Sequence, residues 1–81
     1  MEGSNSFYQI GVAKKKAGLT ARQIRYYEEV GLIKPERTES NYRMYSEEEI
    51  KRLKKIKELM QEGMNTAGIL KKIKLIEQDK D

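Results

Sequence analysis

Cysteine, histidine and tryptophan are absent from these 81 residues, and proline occurs once. Without cysteine there is no disulfide scaffold. Without cysteine and histidine the usual ligands for zinc and copper are missing, so no metal or other cofactor is expected within the chain. The same absences remove the commonest general base and the thiol nucleophile. The remaining carboxylates alternate with lysines in helical patterns instead of lying in apolar surroundings, so an enzyme is not expected. No apolar run approaches the roughly 20 residues that cross a bilayer, and the first residues, Met1 to Ser6, hold no apolar segment of a signal peptide. The chain reads as soluble and cytoplasmic, with no membrane partner.

What is present is charge. Seventeen Lys and Arg stand against thirteen Asp and Glu, a net charge of +4 with a pI near 9.3. That mild basic excess favours a polyanionic partner. The length allows one small domain with one modest core. The expected organisation is a disordered tail over 1–6, a single domain over 7–77 and a charged end over 78–81.

Four helical segments follow from their punctuation, and each of the first three ends at a glycine, the residue that enters a left-handed cap cheaply. The first runs from Ile10 to Ala17, with Ile10, Val12, Ala13 and Ala17 as its apolar positions, Lys14, Lys15 and Lys16 outward and Gly18 as its stop. Thr20 opens the second, with Gln23 three residues on to complete a capping box, and Val30-Gly31 closes it. Ser46 and Glu49 form a second box at the start of the third, whose apolar stripe is Ile50, Leu53, Ile56, Leu59 and Met60 up to Gly63. Asn65 caps the fourth, which carries Ala67, Ile69, Leu70, Ile73 and Ile76 as its apolar positions.

The turn between the first two helices is about three residues long and contains Gly18, the short connection of a helix-turn-helix. After the second helix, Pro35 forbids helix continuation. Alternation over Tyr42, Arg43, Met44 and Tyr45 predicts a short strand, Glu39-Ser40-Asn41 is turn chemistry, and a partner strand near Arg37-Thr38 makes a hairpin.

The second helix presents two different arcs. At about 100° per residue from Ala21, Arg25, Glu29, Arg22 and Tyr26 fall at roughly 40°, 80°, 100° and 140°, whereas Tyr27 and Ile24 lie on the opposite side. One arc docks on a core. The other offers guanidinium groups and a phenol to an outside partner, and arginine forks suit phosphate oxygens and the guanine edge. The bland alternative is a solvated face with Arg25 paired to Glu28 or Glu29 at helical spacing.

Taken in order, Tyr8-Gln9-Ile10-Gly11, the turn Ala17-Gly18-Leu19-Thr20, Ile24-Arg25-Tyr26-Tyr27-Glu28-Glu29, Gly31-Leu32-Ile33, Pro35, Arg37, Tyr42-Arg43-Met44-Tyr45-Ser46 and Gly63-Met64-Asn65 resemble the DNA-binding domain of MerR-type transcriptional regulators. The resemblance covers Tyr8 to Ile76. It implies a mainly α fold: a winged helix-turn-helix with a small β-hairpin wing and a C-terminal helix pair. It implies that Arg22 reads a base edge and Arg25 a base or the backbone, that Tyr26 and Arg43 grip phosphate, and that Thr20 and Ala21 hold a phosphate at the helix N-terminus. Tyr27 is assigned to packing under the wing. Asn41 stands where the family often has glycine, and asparagine tolerates the positive φ of such a turn.

The expected partner is double-stranded DNA, bound by a homodimer on an inverted repeat. Ala21-Arg22-Gln23-Ile24-Arg25 and Asn65-Thr66-Ala67-Gly68-Ile69 further resemble the glutamine-synthetase-repressor branch, which implies a repressor in bacterial nitrogen metabolism. The long dimer helix and the effector-binding region usual in the family do not fit after Asp81. Two other readings remain open on the residues alone: an excisionase-like architectural protein that bends DNA, and a helical protein-interaction module using the Lys/Glu-rich third and fourth helices.

Overall fold

The computed structural model describes residues 6–78. Residues 1–5 and 79–81, which hold most of the expected tail and the charged end, lie outside the described residues. The order of elements is β1 (Phe7–Tyr8), α1 (Ile10–Ala17), α2 (Ala21–Glu29), β2 (Glu36–Arg37), β3 (Arg43–Ser46), α3 (Glu47–Gln61) and α4 (Thr66–Gln78).

Local chemistry sets the helix ends. The Thr20 hydroxyl accepts the Gln23 N–H at 3.1 Å while the Gln23 side chain accepts the Thr20 N–H at 3.0 Å, so α2 begins with a complete capping box. Ser46 and Glu49 repeat the device for α3. Asn65 Oδ1 accepts the Gly68 N–H at 2.8 Å at the start of α4. Gly18, Gly31 and Gly63 all take positive φ at the stops predicted for them. All four helices therefore stand where the sequence puts them.

The hairpin of β2 and β3 forms as expected, with Arg37 opposite Arg43, and Asn41 takes φ 69° in the turn. Backbone bonds Thr38 N–H to Tyr42 O and Asn41 N–H to Thr38 O close it. β1 is an addition the sequence reading missed. Phe7 and Tyr8 pair antiparallel with Ser46 and Tyr45, which makes β3 the middle of a three-stranded sheet ordered β1-β3-β2.

The core is shared by every helix. Ala13 and Ala17, four apart on α1, are buried where α1 packs on α3. Ile24 and Tyr27 come from α2, Tyr45 from β3, Leu32 and Ile33 from the segment after α2, and Ile69 and Ile73 from α4. The buried stripe of α3 is Ile50, Leu53, Ile56 and Leu59. Each such aliphatic side chain contributes about 1.5–3 kcal/mol on burial.

Four apolar assignments need correction. Val12 is exposed, one residue before the buried Ala13 of α1. Met60 is 42% exposed because it stands one residue past Leu59, at the rim of the stripe, although its sulfur accepts the Tyr27 hydroxyl. Ile76 is exposed at the rim of the groove between α3 and α4, beside the Arg52–Glu77 ion pair, and Ala67 is exposed in the first turn of α4.

Candidate nucleic-acid interface

α2 is held from beneath and free above. Ile24 and Tyr27 sink into the core, and the Tyr27 hydroxyl reaches Met60 on α3, so the inner-arc tyrosine is anchored by the third helix, where the wing was expected to cover it. Burial pushes the Tyr27 hydroxyl above its ordinary pKa. Tyr26 is 47% exposed, its ring edge-on to Tyr27 at 5.9 Å between centroids. That contact steadies the ring while leaving the phenol outward.

Arg22 and Arg25 are exposed on the same outer arc as Tyr26, and neither forms an ion pair among the described residues. The alternative pairing of Arg25 with Glu28 or Glu29 does not form. Glu28 is engaged elsewhere, by two arginines of the hairpin.

The N-terminus of α2 has a definite remainder of free donors. The capping box consumes the amides of Thr20 and Gln23 together with the Thr20 side chain. The Ala21 and Arg22 amides are left as the orphan donors of the first turn. Any anion held here meets backbone N–H groups, with Thr20 shaping the turn.

Arg43 sits differently from the expectation of a freely exposed grip. Alternation puts it on the same side of β3 as Tyr45, which is fully buried, so its side chain turns toward α2. Its Nε donates to Glu28 Oε1 at 2.5 Å, and this bond raises the pKa of the guanidinium. Arg37 Nη2 donates to the other oxygen, Oε2, at 3.2 Å, and Arg37 Nη1 donates to the Asn41 carbonyl at 3.3 Å. One carboxylate on the last turn of α2 therefore holds both strands of the hairpin.

Of the residues predicted to form the site, Thr20, Ala21, Arg22, Arg25 and Tyr26 share one end or one face of α2, and Glu28 draws Arg43 to the same helix. Sequence reasoning passed over Glu28, Arg37 and Tyr42. The signal for Glu28 was a carboxylate with two arginines fixed opposite each other across a hairpin. Tyr42, 64% exposed at the wing, was visible only as one term of the alternation. Behind α2, exposed Lys14, Lys15 and Lys16 on α1 and Lys54 on α3, with the half-buried Lys57, add positive potential around the helix-turn-helix corner. No group of acidic residues able to hold a metal occurs among the described residues, and no described helix is long and apolar enough to cross a membrane.

Comparison with known proteins places this geometry. The family model described as MerR HTH family regulatory protein matches residues 8–75. The chain is 44% identical over 66 residues to the HTH-type transcriptional regulator GlnR of Bacillus anthracis, covering 82% of this chain and 51% of that protein. It is 44% identical over 69 residues to the HTH-type transcriptional regulator TnrA of Bacillus subtilis (strain 168), covering 85% of this chain and 63% of that protein. HiNmlR, a MerR family regulator lacking the sensor domain, solved bound to promoter DNA, matches with a TM-score of 0.81 at 25% identity, over 94% of this chain and 58% of that one. The chain thus spans about half the length of the first relative and less than two thirds of the second.

Proposed function

Because this chain belongs to the MerR family of helix-turn-helix regulators, whose DNA-binding domain it is, we propose that α2 enters the major groove of an operator and the hairpin lies against the flanking backbone. The observation that carries the reading is the outer arc of α2, where Arg22, Arg25 and Tyr26 stand exposed and the two arginines have no acidic partner among the described residues. A solvated helix in a chain with thirteen acidic residues has carboxylates at hand for its arginines. Here Glu28 is spent on the wing, and Glu29, four residues past Arg25, forms no ion pair with it.

The roles divide by reach. Arg22, nearest the N-terminus of α2, reads a base edge, since recognition helices lead with their first turns. Arg25 meets a base or the backbone, and the Tyr26 hydroxyl donates to a phosphate. The Ala21 and Arg22 amides receive another phosphate at the positive end of the helix, next to the Thr20 cap. Arg43 contacts the backbone with the part of its fork that Glu28 does not use.

A single module makes few contacts, so the operator is taken as an inverted repeat bound by two copies, with half-sites about one or two helical turns apart. The role is binding, not catalysis, in the bacterial cytoplasm where the chromosome lies. The finer reading is a repressor of the glutamine-synthetase-repressor branch in nitrogen metabolism, supported by the similarity to GlnR and TnrA.

An NMR titration with an inverted-repeat duplex tests the reading. Shifts are expected on α2 and the hairpin at two chains per duplex. Shifts spread over α3 and α4 instead, or no binding of random duplex at low salt, would overturn it.

A further inference from the structure

The wing carries a problem of its own. Arg37 and Arg43 are directly opposed across the ladder, and like charges in that register destabilise a strand pair. The hairpin offers no acidic side chain that bonds either arginine. The neutralising group comes from α2, where the two oxygens of Glu28 take one arginine each. Its side chain keeps only 22% of its surface, whereas the Arg43 side chain keeps 33%.

The two arginines are not held alike. Arg37 is tied at both Nη groups, to Glu28 and to the Asn41 carbonyl. Arg43 is held by Nε alone, so both of its Nη groups lack a partner among the described residues. Nε is the inner edge of the fork, and a carboxylate there fixes the plane of the guanidinium while leaving its outer end for a second anion.

We infer that Glu28 is the positioning residue of the DNA interface: it aims Arg43 at the phosphate backbone and sets the wing at a fixed offset from α2. This rests on the DNA-binding reading. The two roles of Glu28 have opposite electrostatic signs. As a bare negative charge near a polyanion it opposes binding, so its removal should tighten every duplex. As a positioner it favours binding, so its removal weakens the duplex whose spacing the wing and α2 must both satisfy.

The test uses the full chain, with anisotropy titrations over a salt series. The probes are a duplex selected from a randomised pool by the wild-type chain and a random-sequence duplex. E28Q is expected to weaken the selected duplex roughly tenfold and to lower its salt slope by about one, as loss of a single phosphate contact does. R43Q should do the same, and E28Q should cost clearly less in the R43Q background than in the wild type, because only the hold of Glu28 on Arg37 is then left to lose. A merely structural carboxylate would leave the salt slope unchanged and add its cost to that of R43Q.

E28D keeps the charge and shortens the reach by one methylene. It carries the test if E28Q loses its folded baseline in urea, and an intermediate loss on the selected duplex is expected. Wild-type affinity or better for E28Q, or for E28D where it stands in, overturns the role of Glu28 alone. A wild-type chain that binds neither duplex at low salt overturns the DNA reading, and this inference with it.

Discussion

The Lys57 ammonium lies 2.6 Å from where a Cβ on Gly18 would stand, so the helix-turn-helix corner is built with the side chain of α3 laid over a bare backbone. Gly18 also carries φ 72° as the cap of α1, with its N–H donating to the Lys14 carbonyl at 2.8 Å. Two costs meet at this position, and they differ in kind. The lysine is a flexible end and can move aside, but the left-handed backbone strains any L side chain by roughly 1–2 kcal/mol. Gly18→Ala is therefore expected to cost about that much, lowering the melting temperature by roughly 4–8 °C per kcal/mol. An unchanged melting temperature would mean that the turn relaxes to another conformation.

The outer arc of α2 yields a prediction about DNA that separates reading from anchoring. Arg22→Ala should lose about 1–3 kcal/mol on the selected operator, concentrated at one or two base positions, because a bidentate contact to a base edge is what is removed. Tyr26→Phe deletes only a hydroxyl and should weaken specific and random duplexes alike, by about 1 kcal/mol. Equal loss for Arg22→Ala on both duplexes would sink its base-reading role.

How much of this was legible depended on how far apart in sequence the partners lie. The boxes Thr20/Gln23 and Ser46/Glu49 and the stops at Gly18, Gly31 and Gly63 are local, and each stands where the residues predict it. The hairpin was legible because its turn is short. β1 was not: Phe7 and Tyr8 are two residues whose ladder partners are Ser46 and Tyr45, and no periodicity can show in two residues. The outer arc of α2 was legible from helical geometry, but the partners of Glu28 were not. Helical spacing offered Arg25 as its partner, whereas the fold brings up two arginines together, from strands that hold them side by side. The half-buried setting of Arg43 was implicit in its alternation with Tyr45.

Tyr45 makes a prediction for the core. It is fully buried, and its hydroxyl has no hydrogen-bond partner among the described residues. A buried hydroxyl left unpaired costs about 1–3 kcal/mol. Tyr45→Phe should accordingly raise the unfolding free energy by on the order of 1 kcal/mol, seen as a higher urea midpoint. Burial also raises the Tyr45 pKa, as it does that of Tyr27. Below the ordinary tyrosine value of about 10 both folded and unfolded chains keep these protons, and above it the unfolded chain releases them first. Stability therefore falls as pH rises past about 10, and Tyr45→Phe should make that fall shallower. A steeper fall in the variant would show that the hydroxyl is stabilised in its ionised form.

Glu49 gives the complementary test on the acid side. It closes the α3 capping box, yet its carboxyl pKa is raised, first by burial and then by the nearby Glu36, against the lowering effect of Ser46, Arg52 and the Lys34 amide. A raised carboxyl pKa means that the folded chain holds a proton the unfolded chain has lost. The penalty is absent below the unfolded value, near 4.3, and grows to its full size as pH rises through the folded value. Glutamine at the same position of a capping box is already used in this chain, by Gln23 at the head of α2. Glu49→Gln should keep the box and remove the ionisation. The stability of the variant relative to wild type should then be greater at pH 7 than at pH 3, whatever the offset at the lower pH. Urea midpoints at the two pH values measure the difference directly. A relative stability that declines from pH 3 to pH 7 would mean that the helix N-terminus and Arg52 stabilise the charge by more than burial opposes it.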